Sequence, residues 1–273
     1  MSAPISVTAG APAPLVGTER MLGAVVLAAA TFMVVLDITV ANVSVATISG
    51  DLGVSATQGT WIVTSYAAAQ AIAMPLTGWL TRRYGQVRLI VASVLLFTVA
   101  SWLCGLATSI ETLIAFRVLQ GLVAGPMVPV SQSLLLATFG PGGAGTALAV
   151  WSMTALIAPI TGPIIGGWIT QEASWPWIFY INVPVGILAA GLIWQLYSER
   201  DTPTRRVPID VAGLLLLVVW VGALQILLDK GKELDWFASG EIVALACVAV
   251  AGFALFLAWE LLDNPHPIVD LQP

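Results

Sequence analysis

The sequence predicts an all-α integral membrane protein with eight membrane-spanning helices. Of its 273 residues, 58% are hydrophobic and only 9% are charged, and the mean hydropathy of +0.94 lies far above that of soluble domains. A helix needs about 20 mostly apolar residues to cross the hydrocarbon core of a bilayer, and eight such windows fit the chain. We therefore expect the lipid bilayer to surround the protein, with no large soluble domain beside the spans.

Short polar or turn-forming segments separate the predicted spans. Residues 1–20 are rich in Ala, Pro and Gly and lack the basic start of a secretory signal, so they predict a cytoplasmic N-terminal tail before a retained first span. The apolar windows lie near residues 21–43, 59–80, 89–108, 112–136, 145–169, 177–197, 211–228 and 241–261.

The polar run 198–210 is the longest between spans and predicts a cytoplasmic linker. It would divide a six-helix bundle over residues 21–197 from two additional transmembrane helices within 211–261. Residues 262–273 are predicted to form a cytoplasmic C-terminal end.

The loop charges predict that both termini are cytoplasmic. With the N-terminus inside, only Lys230 and Lys232 face outward. Seven arginines then lie in cytoplasmic segments: Arg20, Arg82, Arg83, Arg88, Arg200, Arg205 and Arg206. This asymmetry favours an N-in, C-in topology under the positive-inside rule.

Asp37 and Arg117 are the predicted functional residues, because an ionisable side chain inside an apolar span is costly. Each lies about six or seven residues from the outer end of its predicted span. At 1.5 Å per residue this depth is roughly 10 Å for both, so the two side chains can meet. Burial disfavours the charged carboxylate and a nearby guanidinium favours it, so a small rearrangement can change the protonation of Asp37. A static ion pair that only fixes helix register is the alternative. Gln120, one helical turn from Arg117, is predicted to line the same cavity.

The residues predict no enzyme chemistry. The single histidine, His266, lies between two prolines, and the sequence has neither a Cys and His cluster with metal-ligand spacing nor a glycine-rich phosphate loop with its lysine. We therefore expect no catalytic residue, metal site or cofactor. The few basic residues are explained by loops, so nucleic-acid binding is not expected either.

Five segments carry a specific resemblance to a known family. In chain order they are LDITVANV (36–43), GWLTRRYGQVR (78–88), RVLQG (117–121), GPIIGG (162–167) and WPWIFYINVP (175–184). From Thr31 onward the chain resembles the amino-terminal half of a major facilitator superfamily drug:proton antiporter of the fourteen-helix type.

The resemblance implies proton-coupled export (antiport) of hydrophobic or amphiphilic drugs across the inner membrane, and hence multidrug resistance. It implies that Asp37 and Arg117 couple protons to transport, and that a periplasmic adaptor and an outer-membrane channel are partners. Conformational roles are implied for two groups of residues: Gly78, Arg82, Arg83, Gly85 and Arg88 in the loop, and Gly162, Pro163, Gly166 and Gly167 in the fifth span. Plain topology determination and helix packing are the alternative explanations of these groups. Thr81 stands where many family members have an acid, so no latch through that acid is expected.

Length is the main departure from the family, whose members continue into a second six-helix bundle beyond the point where this sequence ends. Three interpretations stay open. The chain is a piece of a complete exporter, a half-transporter that dimerises, or a non-transporting membrane fragment that acts only by association.

Overall fold

The computed structural model describes residues 15–261, and the predicted features at residues 1–14 and 262–273, His266 among them, lie outside this range. The described part is built of α-helices and short 3-10 turns and has no strand. Its α-helices are α1 (Gly17–Asp51), α2 (Ala56–Gly59), α3 (Trp61–Ala73), α4 (Thr77–Tyr84), α5 (Gln86–Gly105), α6 (Ile110–Ala124), α7 (Met127–Phe139), α8 (Ala144–Glu172), α9 (Trp177–Tyr180), α10 (Asn182–Tyr197), α11 (Val211–Lys230) and α12 (Gly240–Leu261).

Seven helical segments within the described residues are long and apolar enough to cross a membrane, and each overlaps a predicted span. The predicted all-α membrane fold is confirmed. The predicted span near 59–80 is not one continuous helix, since α2, α3 and α4 divide it. The break between α3 and α4 contains Pro75, which has no N–H for the helical hydrogen-bond ladder.

The first helix is longer than predicted. It runs to Asp51. In the added part, the hydroxyls of Ser44 and Ser49 donate to the carbonyls of Val40 and Val45 of the preceding turn, at 2.8 and 2.7 Å. Its 35 residues span about 52 Å, more than the hydrocarbon core of about 30 Å. The helix therefore extends beyond the predicted span, whose end at residue 43 stays a prediction, and Asp37 lies near the middle of the helix.

Two apolar clusters form the core of the six-helix part. One includes Val34 of α1 with Phe97 of α5, and the other includes Leu36 of α1 with Phe179 of α9. Asp37 lies one residue after Leu36 and three after Val34 in α1, so it lies where the two clusters adjoin.

The last two helices pack against each other, and α11 packs against α3. Leu217, Val221 and Phe256 are buried at this contact, and Ile72 of α3 packs on them. Gly252 permits the close crossing of α12 and α11, since an added Cβ would lie 2.9 Å from the Cβ of Trp220. The additional helices are thus docked on one flank of the bundle.

Candidate functional site: a buried polar network

Asp37 of α1 and Arg117 of α6 are in direct contact at the centre of the bundle. The Arg117 Nη1 group donates to Asp37 Oδ2 and forms an ion pair with it. Asp37 is 3% exposed and Arg117 is fully buried. The structure therefore brings the two predicted ionisable residues together away from the protein surface.

Gln120 closes a triangle with this pair. Its amide Nε2 donates to Asp37 Oδ1 at 3.0 Å, and its Oε1 accepts from Arg117 Nη1 at 2.7 Å. Cys104 of α5 lies behind it, with Sγ 3.6 Å from Gln120 Oε1. Gln120, predicted only to line the same cavity, holds both charged partners in place.

Asn182 and Ser101 complete the network, although no functional role was predicted for either residue. Asn182 Nδ2 donates to Asp37 Oδ1 at 2.9 Å and to Ser101 Oγ at 3.0 Å, and Ser101 Oγ donates to the Phe179 carbonyl at 2.8 Å. The signal that points to both is the one used for Asp37, a polar side chain inside an apolar helix. The carboxylate of Asp37 thus accepts hydrogen bonds from α6 and α10.

Arg117 is held by backbone and aromatic groups as well. Its Nε donates to the Ile62 carbonyl at 3.0 Å, and its guanidinium lies 4.0 Å from the ring centroid of Tyr66 and 5.7 Å from that of Phe179. Arg117 Nη2 and the Tyr66 hydroxyl are buried without a hydrogen-bond partner among the described residues. Unpaired polar groups are costly in a core, and these two can each form a further hydrogen bond.

Glycines bring α6 close enough to α3 for these contacts. A Cβ at Gly121 would overlap the Tyr66 carbonyl oxygen and lie 2.9 Å from the Cβ of Ala69, and a Cβ at Gly125 would lie 2.5 Å from the Cβ of Ala73. This near approach of the two backbones lets Arg117 reach a main-chain carbonyl of α3.

The glycines of α8 serve its contact with α1 unequally. A Cβ at Gly162 would lie 2.5 Å from the Cβ of Thr39, and one at Gly166 would lie 3.1 Å from Cγ1 of Val40, whereas Gly167 has open space around it. The helix continues through Pro159 and Pro163, both of which are exposed. Gly162 and Gly166 therefore seat α8 two and three residues beyond Asp37 along α1, while Gly167 makes no such contact.

The loop between α4 and α5 is bound to the segment 201–210. Gly85 has φ +88°, and an added Cβ there would lie 2.5 Å from a carboxylate oxygen of Asp201. Asp201 accepts from the Val87 amide at 2.8 Å and lies 3.5 Å from Arg88 Nε. Glycine is required here by both conformation and space.

The remaining loop residues make fewer contacts. The Arg82 carbonyl accepts from the Arg205 amide at 2.8 Å. A Cβ added at Gly78 would meet no atom within 4 Å, so the space around this residue does not require glycine. The predicted conformational roles of these residues stay predictions.

A known protein family matches most of this chain. The profile described as "Major Facilitator Superfamily" matches residues 27–263. The chain belongs to the Major Facilitator Superfamily. It is accordingly a multi-pass protein of the inner membrane, in a family of transporters rather than enzymes.

Relatives from several bacteria share about half of the residues. The chain is 52% identical to the Multidrug export protein EmrB of Haemophilus influenzae over 95% of this chain and 51% of the relative. It is 52% identical to EmrB of Escherichia coli K12, over 95% of this chain and 50% of that relative. It is 50% identical to the Fatty acid resistance protein FarB of Neisseria gonorrhoeae, over 95% of this chain and 51% of that relative. The chain thus spans about half the length of the curated relatives it matches.

Solved structures share the fold at low sequence identity. A peptide transporter POT in complex with sulfate aligns with a TM-score of 0.64 and 15% identity, over 88% of this chain and 53% of the other. A bacterial homologue of the human lysosomal transporter Spinster, inward-facing and occupied, aligns with a TM-score of 0.59 and 19% identity, over 93% and 64%. These matches support the transporter fold alone.

Proposed function

We propose that this chain is the amino-terminal half of a multidrug transporter that exchanges protons for hydrophobic or amphiphilic drugs across the inner membrane. The observation that carries the proposal is the buried carboxylate of Asp37, which Arg117, Gln120 and Asn182 all contact. Intramembrane acids in such networks are typical of proton relays.

Protonation of Asp37 would change the connection between three helices. The charged carboxylate of α1 accepts from α6 and from α10. A proton on this group removes the charge that pairs with Arg117 and one acceptor position, so the links to both helices weaken. Alternating access needs two arrangements of these helices, and binding of the proton would favour one arrangement over the other.

The proton gradient supplies enough energy for useful export. One charge that crosses 100 mV yields about 2.3 kcal/mol, which sustains a substrate gradient of roughly fiftyfold per proton.

The relatives support the substrate class. They are named as multidrug export and fatty acid resistance proteins, and both names fit hydrophobic or amphiphilic compounds. A periplasmic adaptor and an outer-membrane channel remain proposed partners, on the resemblance alone.

The exposed side of α8 supports a transporter with a second bundle. Only five of its 29 residues are buried. Large apolar side chains are exposed along it: Met153, Leu156, Ile157, Ile160, Ile164 and Trp168. We propose that a second bundle covers this face and completes the substrate cavity.

The second candidate function is a membrane fragment that transports nothing, or a half-transporter that acts only as a dimer. In this alternative Asp37 and Arg117 form a static ion pair that only fixes the helix register. The alternative predicts that neutralising Asp37 leaves the function of the protein unchanged.

The test is Asp37→Asn in the full-length protein, with Asp51→Asn in the same helix as the matched control. Asp51 is exposed at the end of α1, so its substitution should leave activity unchanged. We expect Asp37→Asn to abolish dye export driven by a pH gradient in everted vesicles, with normal membrane yield and a monodisperse elution profile. Export by Asp37→Asn against a gradient, with an intact response to pH, would exclude the proposed site.

A further inference from the structure

A groove of about 470 Å³ lies between α4, α5 and the junction of α6 and α7. Its walls are mostly apolar and include Leu89, Leu96, Leu122 and Pro126. Leu96 is 54% exposed and Leu122 is 41% exposed. Since α5 and the segment Ile110–Phe139 are candidate spans, the groove opens sideways on a surface that faces hydrocarbon.

One end of the groove is basic. Arg83 and Tyr84 of α4, Arg88 of α5 and Thr204 line it there. Arg88 lies in the first turn of α5 and Leu96 lies eight residues further on, which separates them by about 12 Å along the helix. The groove therefore runs from a charged mouth at the helix ends into the apolar zone.

The positive charge at this mouth is not balanced within the groove. Within residues 15–261, the Arg83 side chain has no hydrogen-bond or ion-pair partner, although it is half-buried. Arg88 approaches Asp201 through Nε at 3.5 Å, and its side chain is 66% exposed. The positive-inside rule explains why arginines lie at one end of the spans, but it does not explain an unpaired guanidinium beside an apolar groove.

We infer that this groove binds one anionic phospholipid, with the headgroup phosphate between Arg83 and Arg88 and an acyl chain along Leu96 and Leu122. Guanidinium groups bind phosphate oxygens through two parallel N–H bonds, and the hydroxyls of Tyr84 and Thr204 are further donors at the same mouth. A basic pocket between spanning helices, continuous with the bilayer, suits a lipid better than a soluble anion.

The lipid would touch the loop that the segment 201–210 also binds. Arg88 contacts Asp201, and Thr204 lines the groove. A bound headgroup would therefore connect α4, α5 and this segment at one point.

The experiment is a lipid titration of the delipidated full-length protein in neutral detergent, followed by native mass spectrometry. The probes are palmitoyl-oleoyl phosphatidylglycerol and phosphatidylcholine, which differ only in the headgroup. We expect one phosphatidylglycerol to bind about tenfold or more tightly than phosphatidylcholine. Equal affinity for the two lipids would overturn the inference.

The decisive variant is Arg83→Gln, since this side chain has no partner whose loss would unfold the protein. It should remove most of the preference for phosphatidylglycerol, and the matched control Arg82→Gln, which deletes the same charge one residue away, should retain it. An equal loss in both variants would show a general charge effect and would contradict the site.

Two further measurements separate a lipid from other occupants. Ala92→Trp, which fills the exposed apolar wall, should weaken binding of both lipids. Glycerol phosphate should not displace the bound lipid at equal concentration. Displacement by glycerol phosphate, or crosslinking of Ala92→Cys to a helix outside residues 15–261, would overturn the proposal in favour of a soluble anion or a protein contact.

Discussion

Asp37 illustrates how a charged residue is kept inside an apolar bundle. Taking a carboxylate out of water costs several kcal/mol, and here Arg117, Gln120 and Asn182 each offset part of that cost by a hydrogen bond. The same contacts make the site sensitive to protonation, because each donor prefers the charged acceptor. A network that stabilises one charge state is therefore also one that a proton can rearrange.

Asn182→Ala tests this network by a double-mutant cycle. The substitution removes the bonds to Asp37 and Ser101, at 2.9 and 3.0 Å, and should lower the free energy of unfolding in detergent by about 1.5–3 kcal/mol, as for bonds to charged groups. In the Asp37→Asn background the loss should shrink to about 1 kcal/mol.

The exposed Asn42 provides the control for this cycle, since Asn42→Ala should leave unfolding unchanged. Equal losses for Asn182→Ala in both backgrounds would show that Asn182 does not interact with the charge of Asp37.

At the scale of helices, α1 and α8 are the clearest case of a contact set by small residues. A Cβ added at Gly162 would overlap Thr39, and one added at Gly166 would make a tight contact with Val40 at 3.1 Å. In membranes, such close backbone approach supplies the packing that the hydrophobic effect cannot. The pair therefore fixes α8 beside the part of α1 that carries Asp37.

Gly162→Ala and Gly167→Ala should have opposite effects. The added methyl at residue 162 would push against Thr39 and should destabilise the protein by about 1–3 kcal/mol. At residue 167, where no atom lies within 4 Å, the methyl should be neutral or stabilise the helix by about 0.5 kcal/mol. Thermal and denaturant unfolding of the two variants in the same detergent measures the difference, and similar losses would show that the α1–α8 contact is not as close as described.

In the whole molecule, both apolar packing and polar contacts attach the two additional helices to the six-helix bundle. At the end of α11, the buried Lys230 donates to Thr60 Oγ1 and pairs with Glu233 Oε2 at 3.0 Å. Its ammonium also lies 5.1 Å from the ring centroid of Trp61. Asp229 accepts from Thr64 of α3 beside it. This polar attachment fixes the level of α11 against α3, which apolar contacts alone would leave free to slide.

Lys230→Met should loosen this attachment, with Lys232→Met on the exposed neighbouring position as the control. Loss of the buried bonds should cost about 1–3 kcal/mol and raise hydrogen exchange at the end of α11 and in residues 56–60, while the centre of α1 keeps its protection. Unchanged exchange in Lys230→Met would mean that the apolar flank alone holds the pair.

The apolar windows and the intramembrane charges were sufficient to predict the membrane fold, the positions of the spans, and the two charged residues that meet in the candidate site. This is possible because a bilayer requires long apolar helices and makes every charge inside them conspicuous. Hydropathy predicted neither the break between α3 and α4, which contains Pro75, nor the continuation of α1 to Asp51.

Which polar groups meet in the candidate site depends on the tertiary structure and could not be predicted from the sequence. Asp37 lies 80 residues from Arg117 and 145 residues from Asn182, so their contact depends on how α1, α6 and α10 cross. It also decided that Gly162 and Gly166 are contact residues and Gly167 is not. The physical reason is that spacing along a helix gives the face of a residue, whereas its partner is set by the packing of helices far apart in the chain.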